Sequence, residues 1–175
     1  MQRITLIAPN QAHFAELLAY KGVFLAQNLQ IHGSCGLDRF ADHELERWLE
    51  YVNSPAGTNW FGYDTVEDST YLAWHLEQNR MVGIINIRHE LTDFLRQFGG
   101  HIGYSIHPDF WNQGYGSEML ALALKESDKL GLNKVLITCD KTNPASAKVI
   151  INNGGVLENE VQNGENVVQR YWISR

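Results

Sequence analysis

Two cysteines, four prolines and no apolar run long enough to cross a bilayer are what this 175-residue chain offers least of. Cys35 and Cys139 are too few for a disulfide framework and too far apart for a zinc motif. Two free thiols in a reducing, cytoplasmic setting are expected. No His or Cys pair has metal-ligand spacing, so no metal is expected. No stretch approaches the ~18 apolar residues of a membrane helix. The opening MQRITLIAPN lacks the charged-then-apolar order of a secretory signal, so no membrane partner is expected. Positive charge is also scarce: 14 Lys and Arg face 20 Asp and Glu, a net of −6, with no basic stripe. That argues against nucleic acid as a partner. Neither GxxxxGK[ST] nor GxGxxG occurs, which leaves a Walker loop and a Rossmann dinucleotide site unsupported.

What is present is ordinary for a globular protein: 44% hydrophobic and 19% charged residues. The length suits one domain over residues 1–175 with a substantial core. Residues 3–8 read as a short strand ended by Pro9-Asn10. Residues 11–27 carry a helical apolar pattern, either one helix or two broken near Gly22, and residues 32–40 a glycine-rich loop. Asp42 reads as an N-cap for a helix over 43–52 whose face is Leu45, Trp48, Leu49 and Val52. Residues 53–68 read as a long loop. Residues 70–77 and 81–89 read as a hairpin, 91–98 as a short helix or lid, and 101–107 as a strand stopped by Pro108. The strongest helix is 116–130, with Met119, Leu120, Ala123, Leu124 and Leu130 in phase and Gly131 as its stop. A buried strand over 134–139, a helix opened by Asn143-Pro144, and a final hairpin over 156–174 complete the pattern. This order predicts an α/β chain whose mixed sheet is mostly antiparallel, with one right-handed crossover between 101 and 139 and helices on both faces.

The sharpest local feature is Trp111-Asn112-Gln113-Gly114-Tyr115-Gly116, set between a strand and the strongest helix. A helix start exposes unpaired N–H groups and partial positive charge, a natural seat for a phosphate. Gly114 and Gly116 would let the backbone approach the anion, and Ser117 could add a hydroxyl. A turn that merely reverses the chain fits the same residues.

The stretch IHPDFWNQGYGSEMLALAL resembles the signature of the Gcn5-related N-acetyltransferases, Q/R-x-x-G-x-G/A, with Gly114 and Gly116 matching and Trp111 where Gln or Arg is usual. TCDKTNPASAKVIINNGG resembles the family's second acetyl-CoA segment through Asn143, Ser146 and Gly154. HGSCGLDRF, INIRHEL and GGHIGYS resemble a predicted-acetyltransferase subgroup. The resemblance covers nearly the whole chain. It implies an acyl-CoA N-acyltransferase fold whose parallel strand pair splays at a cofactor groove, and transfer of an acetyl group from acetyl-CoA to an amine by direct attack in a ternary complex. Pantetheine would run along Ser105, Ile106 and His107. The diphosphate would sit on the turn formed by Trp111, Asn112, Gln113, Gly114, Tyr115, Gly116 and Ser117. Asn143 and Ser146 would add contacts, with helix capping the other role open to Asn143.

The chemistry needs an acceptor for the amine's proton and a donor for the departing thiolate. The family's usual tyrosine falls on Ile150, which can donate nothing. Tyr104 and Tyr171 are the substitutes by placement, and each also suits a core or rim aromatic. For the base, His89, Glu90, Asp93 and His101 cluster at strand ends, with Glu90 and His101 ranked first. Cys139 is expected to be structural. His32 and Asp38 are candidates for the acceptor pocket. The acceptor is a small-molecule or peptide amine, and the terminal hairpin offers a surface for a homodimer. The alternative function is a CoA-binding sensor or interaction module that has lost catalysis, motivated by Ile150.

Overall fold

The computed structural model describes residues 2–175. Seven strands form one sheet in the order β1-β2-β3-β4-β5-β7-β6. They are β1 (Ile4–Ile7), β2 (Asp68–His75), β3 (Arg80–Arg88), β4 (Ile102–Ile106), β5 (Lys134–Asp140), β6 (Val156–Asn163) and β7 (Asn166–Ser174). The helices are α1 (Phe14–Ala26), α2 (Leu45–Val52), α3 (Tyr115–Lys129) and α4 (Pro144–Asn152). Every neighbouring pair is antiparallel except β4–β5, which is parallel. The expected mixed sheet and crossover are therefore present, with α3 as the crossover helix.

Each face of the sheet carries its own core. Val82, Ile85, Ile87, Ile102, Val135 and Ile137 pack under α3 and α4 with Met119, Leu120, Ala123 and Ile150. Leu72, Met81 and Ile84 pack on the other face under α1 and α2 with Leu17, Tyr20, Phe24 and Trp48. The alternation of apolar residues along the strands supplies both faces at once, as a sheet covered on two sides requires.

One open alternative is decided and two local expectations are corrected. α1 is the single helix of the two alternatives and runs through Gly22, because Leu17, Tyr20, Lys21 and Phe24 are all buried on its inner face. That burial outweighs the ~1 kcal/mol cost of a mid-helix glycine. Asp42 does not cap the next helix; its carboxylate pairs with the buried Lys21 at 2.8 Å, and Lys21 Nζ also donates to Phe40 O at 2.6 Å. The Ala41 N–H is met instead by Glu44 Oε2 at 3.0 Å. Leu130 is 40% exposed and ends α3 rather than packing under it. Among the described residues, no helix is long and apolar enough to cross a membrane.

Candidate active site

The two parallel strands are joined at one end only. β4 and β5 are in register at the single pair Ile102↔Ile137. His101 closes that end twice over: its N–H donates to Leu136 O at 2.7 Å, and its Nδ1 accepts the Leu136 N–H at 2.9 Å. Beyond this point no residue of β4 is paired with β5. The antiparallel alternation decides which β4 groups face the opening. His107 N–H is bonded to Val82 O and His101 O accepts Arg88 N–H, so residues 103, 105 and 107, with the His101 carbonyl, turn their backbone toward β3. Tyr104 and Ile106 turn theirs toward the gap. The expected run Ser105–Ile106–His107 is corrected accordingly. Ile106 faces the opening, whereas the backbone groups of Ser105 and His107 are spent on β3. The Ser105 hydroxyl meets Tyr20 Oη at 3.0 Å, and His107 Nδ1 accepts the Asp109 N–H at 3.2 Å, both away from the gap.

At the wide end of this gap lies the start of α3. Gly114 is the N-cap residue, with φ 84° and ψ 0°, and no side chain caps the helix. Among the described residues, no protein acceptor takes the backbone N–H of Asn112, Gln113, Gly114, Tyr115, Gly116 or Ser117. Asn112 through Gly114 are exposed. A diphosphate fits this exposed cradle: free donors converge at a helix start, and no Cβ at Gly114 intrudes. Gly116 has a different task from the one expected. A Cβ there would come within 3.0 Å of Val149 Cγ2, so this glycine lets α4 pack against α3. Trp111 is 46% exposed, and its Nε1 donates to Ile106 O at 2.7 Å. It tethers the turn to the end of β4. Gln113 Nε2 is spent on Asp109 O at 2.7 Å, and Tyr115 Oη on His75 Nε2 at 2.9 Å. The Ser117 hydroxyl lies 3.5 Å from Asn152 Nδ2.

Asn143 caps α4, its Oδ1 accepting the Ser146 N–H at 3.1 Å. Ser146 Oγ then meets Tyr104 Oη at 2.9 Å. This hydroxyl pair links β4 to the helix that follows β5. Burial raises the Tyr104 hydroxyl above its usual value, so it stays protonated. Cys139 lies beside the pair, and its thiol is pushed up to about 11 by burial. It is a poor nucleophile in that state. Ile150 is fully buried and contributes only packing.

His101 is removed from the list of bases by its own geometry. Nδ1 is occupied by Leu136, so the remaining ring nitrogen carries the proton of the neutral imidazole. Burial first, then the charges of Arg96 and Arg88, lower it to about 4. Glu90 is exposed at the end of β3, and His89 Nε2 is bonded to Ser69 Oγ at 2.9 Å. Asp93, His32 and Asp38 are exposed, and they meet none of these groups.

The α1–α2 face holds a polar cluster that sequence reasoning missed. Asp68 and Arg88 stand opposite each other on β2 and β3, yet no nitrogen of Arg88 is within ion-pair distance of the carboxylate. Arg88 Nη1 donates instead to Gly99 O and Gly100 O at 3.2 and 3.1 Å. Cys35 Sγ sits 3.2 Å from Thr70 Oγ1 and 4.0 Å from Asp68 Oδ2, and Asn86 Nδ2 donates to Thr70 Oγ1 at 3.0 Å. Burial raises the Asp68 carboxyl, against lowering by Asn86 and Arg88, and pushes the Cys35 thiol to about 12. Gly33 and Gly103 make a close backbone contact that admits no side chain at Gly33, where a Cβ would lie 2.1 Å from Gly103 O. The 32–36 loop is thereby seated on β4. Residues 53–67 close over the same end, and Trp60 and Phe61 line a surface cavity of about 320 Å³ with Arg39, Phe40, Glu44 and Arg47. Asp68 and Arg88 have no motif signal, since each reads as an ordinary strand-end charge. Among the described residues, no group of three or more His, Cys, Asp or Glu is placed to hold a metal ion.

A family model described as an acetyltransferase (GNAT) domain matches residues 3–156. The chain belongs to the GNAT acetyltransferase family. Solved structures agree on the fold. An acetyl transferase from Salmonella typhimurium that modifies the N-terminal serine of a 50S ribosomal subunit protein superposes with TM-score 0.70 at 20% identity, covering 100% of this chain and 96% of that one. The microcin self-immunity acetyltransferase MccE, in complex with acetyl-CoA and AMP, superposes with TM-score 0.72 at 14% identity over 100% and 94%. A spermidine N-acetyltransferase, described as a SpeG chimera from Vibrio cholerae and hSSAT, gives TM-score 0.67 at 17% identity over 98% and 95%. This GNAT chain thus shares the architecture of enzymes described as acting on both protein and small-molecule amines.

Proposed function

We propose that the protein is an acetyl-CoA-dependent N-acetyltransferase that transfers the acetyl group directly to an amine. The observation that carries this reading is the set of free N–H groups from Asn112 to Ser117 at the wide end of a one-ended β4–β5 gap. Acetyl-CoA supplies an acyl group activated as a thioester. The turn holds the diphosphate, Tyr104 and Ile106 offer backbone groups to the pantetheine arm, and Asn143 holds α4 in place beside it. The amine lone pair forms the C–N bond as the C–S bond breaks, and that electron pair goes to sulfur. The amine's proton passes to water. The thiol is restored by a proton from Tyr104 Oη, replenished through Ser146 Oγ. CoA thiols ionise near the cysteine range, so this donor is worth less than a donor to an alkoxide. On the α1–α2 face Asp68 is a part-buried carboxylate with no ion-pair partner, which favours an acceptor that carries positive charge.

Calorimetric titration with acetyl-CoA is the direct test, followed by thiol release with a panel of primary amines, peptides and polyamines. No heat of binding at about 1 mM cofactor would reject the reading. The second reading, a CoA-binding module without catalysis, is favoured by the buried Ile150 at the family's tyrosine position. Thiol release with any amine of the panel rejects it.

A further inference from the structure

We infer that Arg3, which immediately precedes the edge strand β1, is a positioning residue for the diphosphate turn about 110 residues away in sequence. This rests on the coenzyme A reading above. The turn itself, WNQGYGS, carries no Lys or Arg. The cation comes from β1's approach instead. Arg3 Nη1 donates to Gln113 O at 3.0 Å, its Nε donates to Glu118 Oε2 at 2.9 Å, and its guanidinium carbon lies 4.0 Å above the Tyr115 ring centre. The Arg3 and Ile4 N–H groups close the clasp on Glu118 Oε1 at 2.6 and 3.2 Å.

Two consequences follow from this geometry. A trans peptide points its N–H opposite its C=O, and no cis bond occurs in the chain. Holding the Gln113 carbonyl toward β1 therefore aims the Gly114 N–H away from β1. Glycine at φ 84° has no side chain to resist rotation of that peptide, so its orientation depends on an outside hold. The second consequence is electrostatic. Glu118 lies in the first turn of α3, where its carboxylate would repel an incoming diphosphate. Pairing with Arg3 neutralises it. Arg3 thus holds the turn from the side of β1, while Trp111 tethers it to β4.

The test uses the full chain with Arg3→Met, which keeps an unbranched stem over Tyr115, and Arg3→Lys, which keeps the charge but not the fork. Calorimetry measures the dissociation constant of CoA. Steady-state rates are measured with acetyl-CoA and with S-acetylpantetheine, which lacks the diphosphate. Arg3→Met is expected to raise the CoA dissociation constant about tenfold or more, the scale of one charged hydrogen bond. The loss should appear in KM for acetyl-CoA with kcat within about twofold, and be absent with S-acetylpantetheine. Arg3→Lys should recover part of the affinity. If both variants bind CoA within about twofold of wild type, or if both acyl donors lose the same factor, the inference is overturned. Thermal melts without ligand identify a variant that fails to fold, and in that case Arg3→Lys decides by the same criteria. Wild-type protein that binds no CoA would instead sink the functional reading, whatever Arg3 does.

Discussion

The two ends of the β4–β5 pair do opposite things. At the closed end His101 satisfies both backbone groups of Leu136. At the open end the strands part and six consecutive N–H groups before and within the start of α3 are left free. The neighbouring helix sharpens the contrast: α4 starts with a side-chain cap from Asn143, whereas α3 starts at an uncapped glycine in the left-handed region. On the function proposed above, the closed end carries stability and the open end carries binding, so substitutions at the two ends should separate the two properties.

The largest break is expected at the open end. Gly114→Asp puts a negative side chain beside the free N–H groups and should raise the dissociation constant of CoA at least ~100-fold, about 3 kcal/mol, read by calorimetry. Its stability should fall by less, about 1–2 kcal/mol for a side chain held at positive φ, because no packed atom but Arg3 Nη2, at 3.5 Å, meets a Cβ there. The closed end should behave the other way. His101→Leu strands the buried Leu136 N–H and should cost about 1–3 kcal/mol in urea unfolding, with a smaller effect on CoA affinity. The same residue gives a pH signature. His101 titrates at about 4 when folded and near 6.5 when unfolded, so the unfolded chain binds more protons between these values. Its contribution is complete above about pH 6.5 and is lost as pH falls toward about 4. The stability gap between wild type and His101→Leu should narrow over that window.

Between the two ends stands the hydroxyl pair. Tyr104→Phe should lower kcat about tenfold while leaving CoA binding within about twofold, since the thiolate is a tolerable leaving group without help. A loss of CoA binding equal to the loss of rate would place Tyr104 with the turn instead. The smallest effect is expected at the capped helix. Asn143→Ala should cost about 1 kcal/mol of stability, seen as a lower melting temperature. If it weakens CoA binding more than it weakens the fold, the two helix starts are less different than their caps suggest.

Much of this was legible along the chain. Period and punctuation located α3, the β2–β3 hairpin and the glycine turn within a residue or two, because these signals are local. The uncapped, exposed helix start was also readable, since it depends on a strand, two glycines and a helix in direct succession. The same glycines show the limit. Gly114 has the conformational role expected of it, whereas Gly116 serves the approach of Val149, 33 residues later. His101 looked like a titrating strand-end residue and proved to be a backbone surrogate for β5. Asp68, Arg88 and Cys35 gave no signal, because each is unremarkable until two loops close over them.

The order of elements, the two-sided burial of the strands and the candidate turn follow from the sequence alone, because each is written in residue spacing over a few turns or strands. Which backbone groups face the gap, which histidine nitrogen is occupied and which arginine holds the turn were decided only by the tertiary structure. Those outcomes depend on register and on pairs such as Arg3–Glu118, separated by 115 positions, and no local pattern encodes a contact at that range.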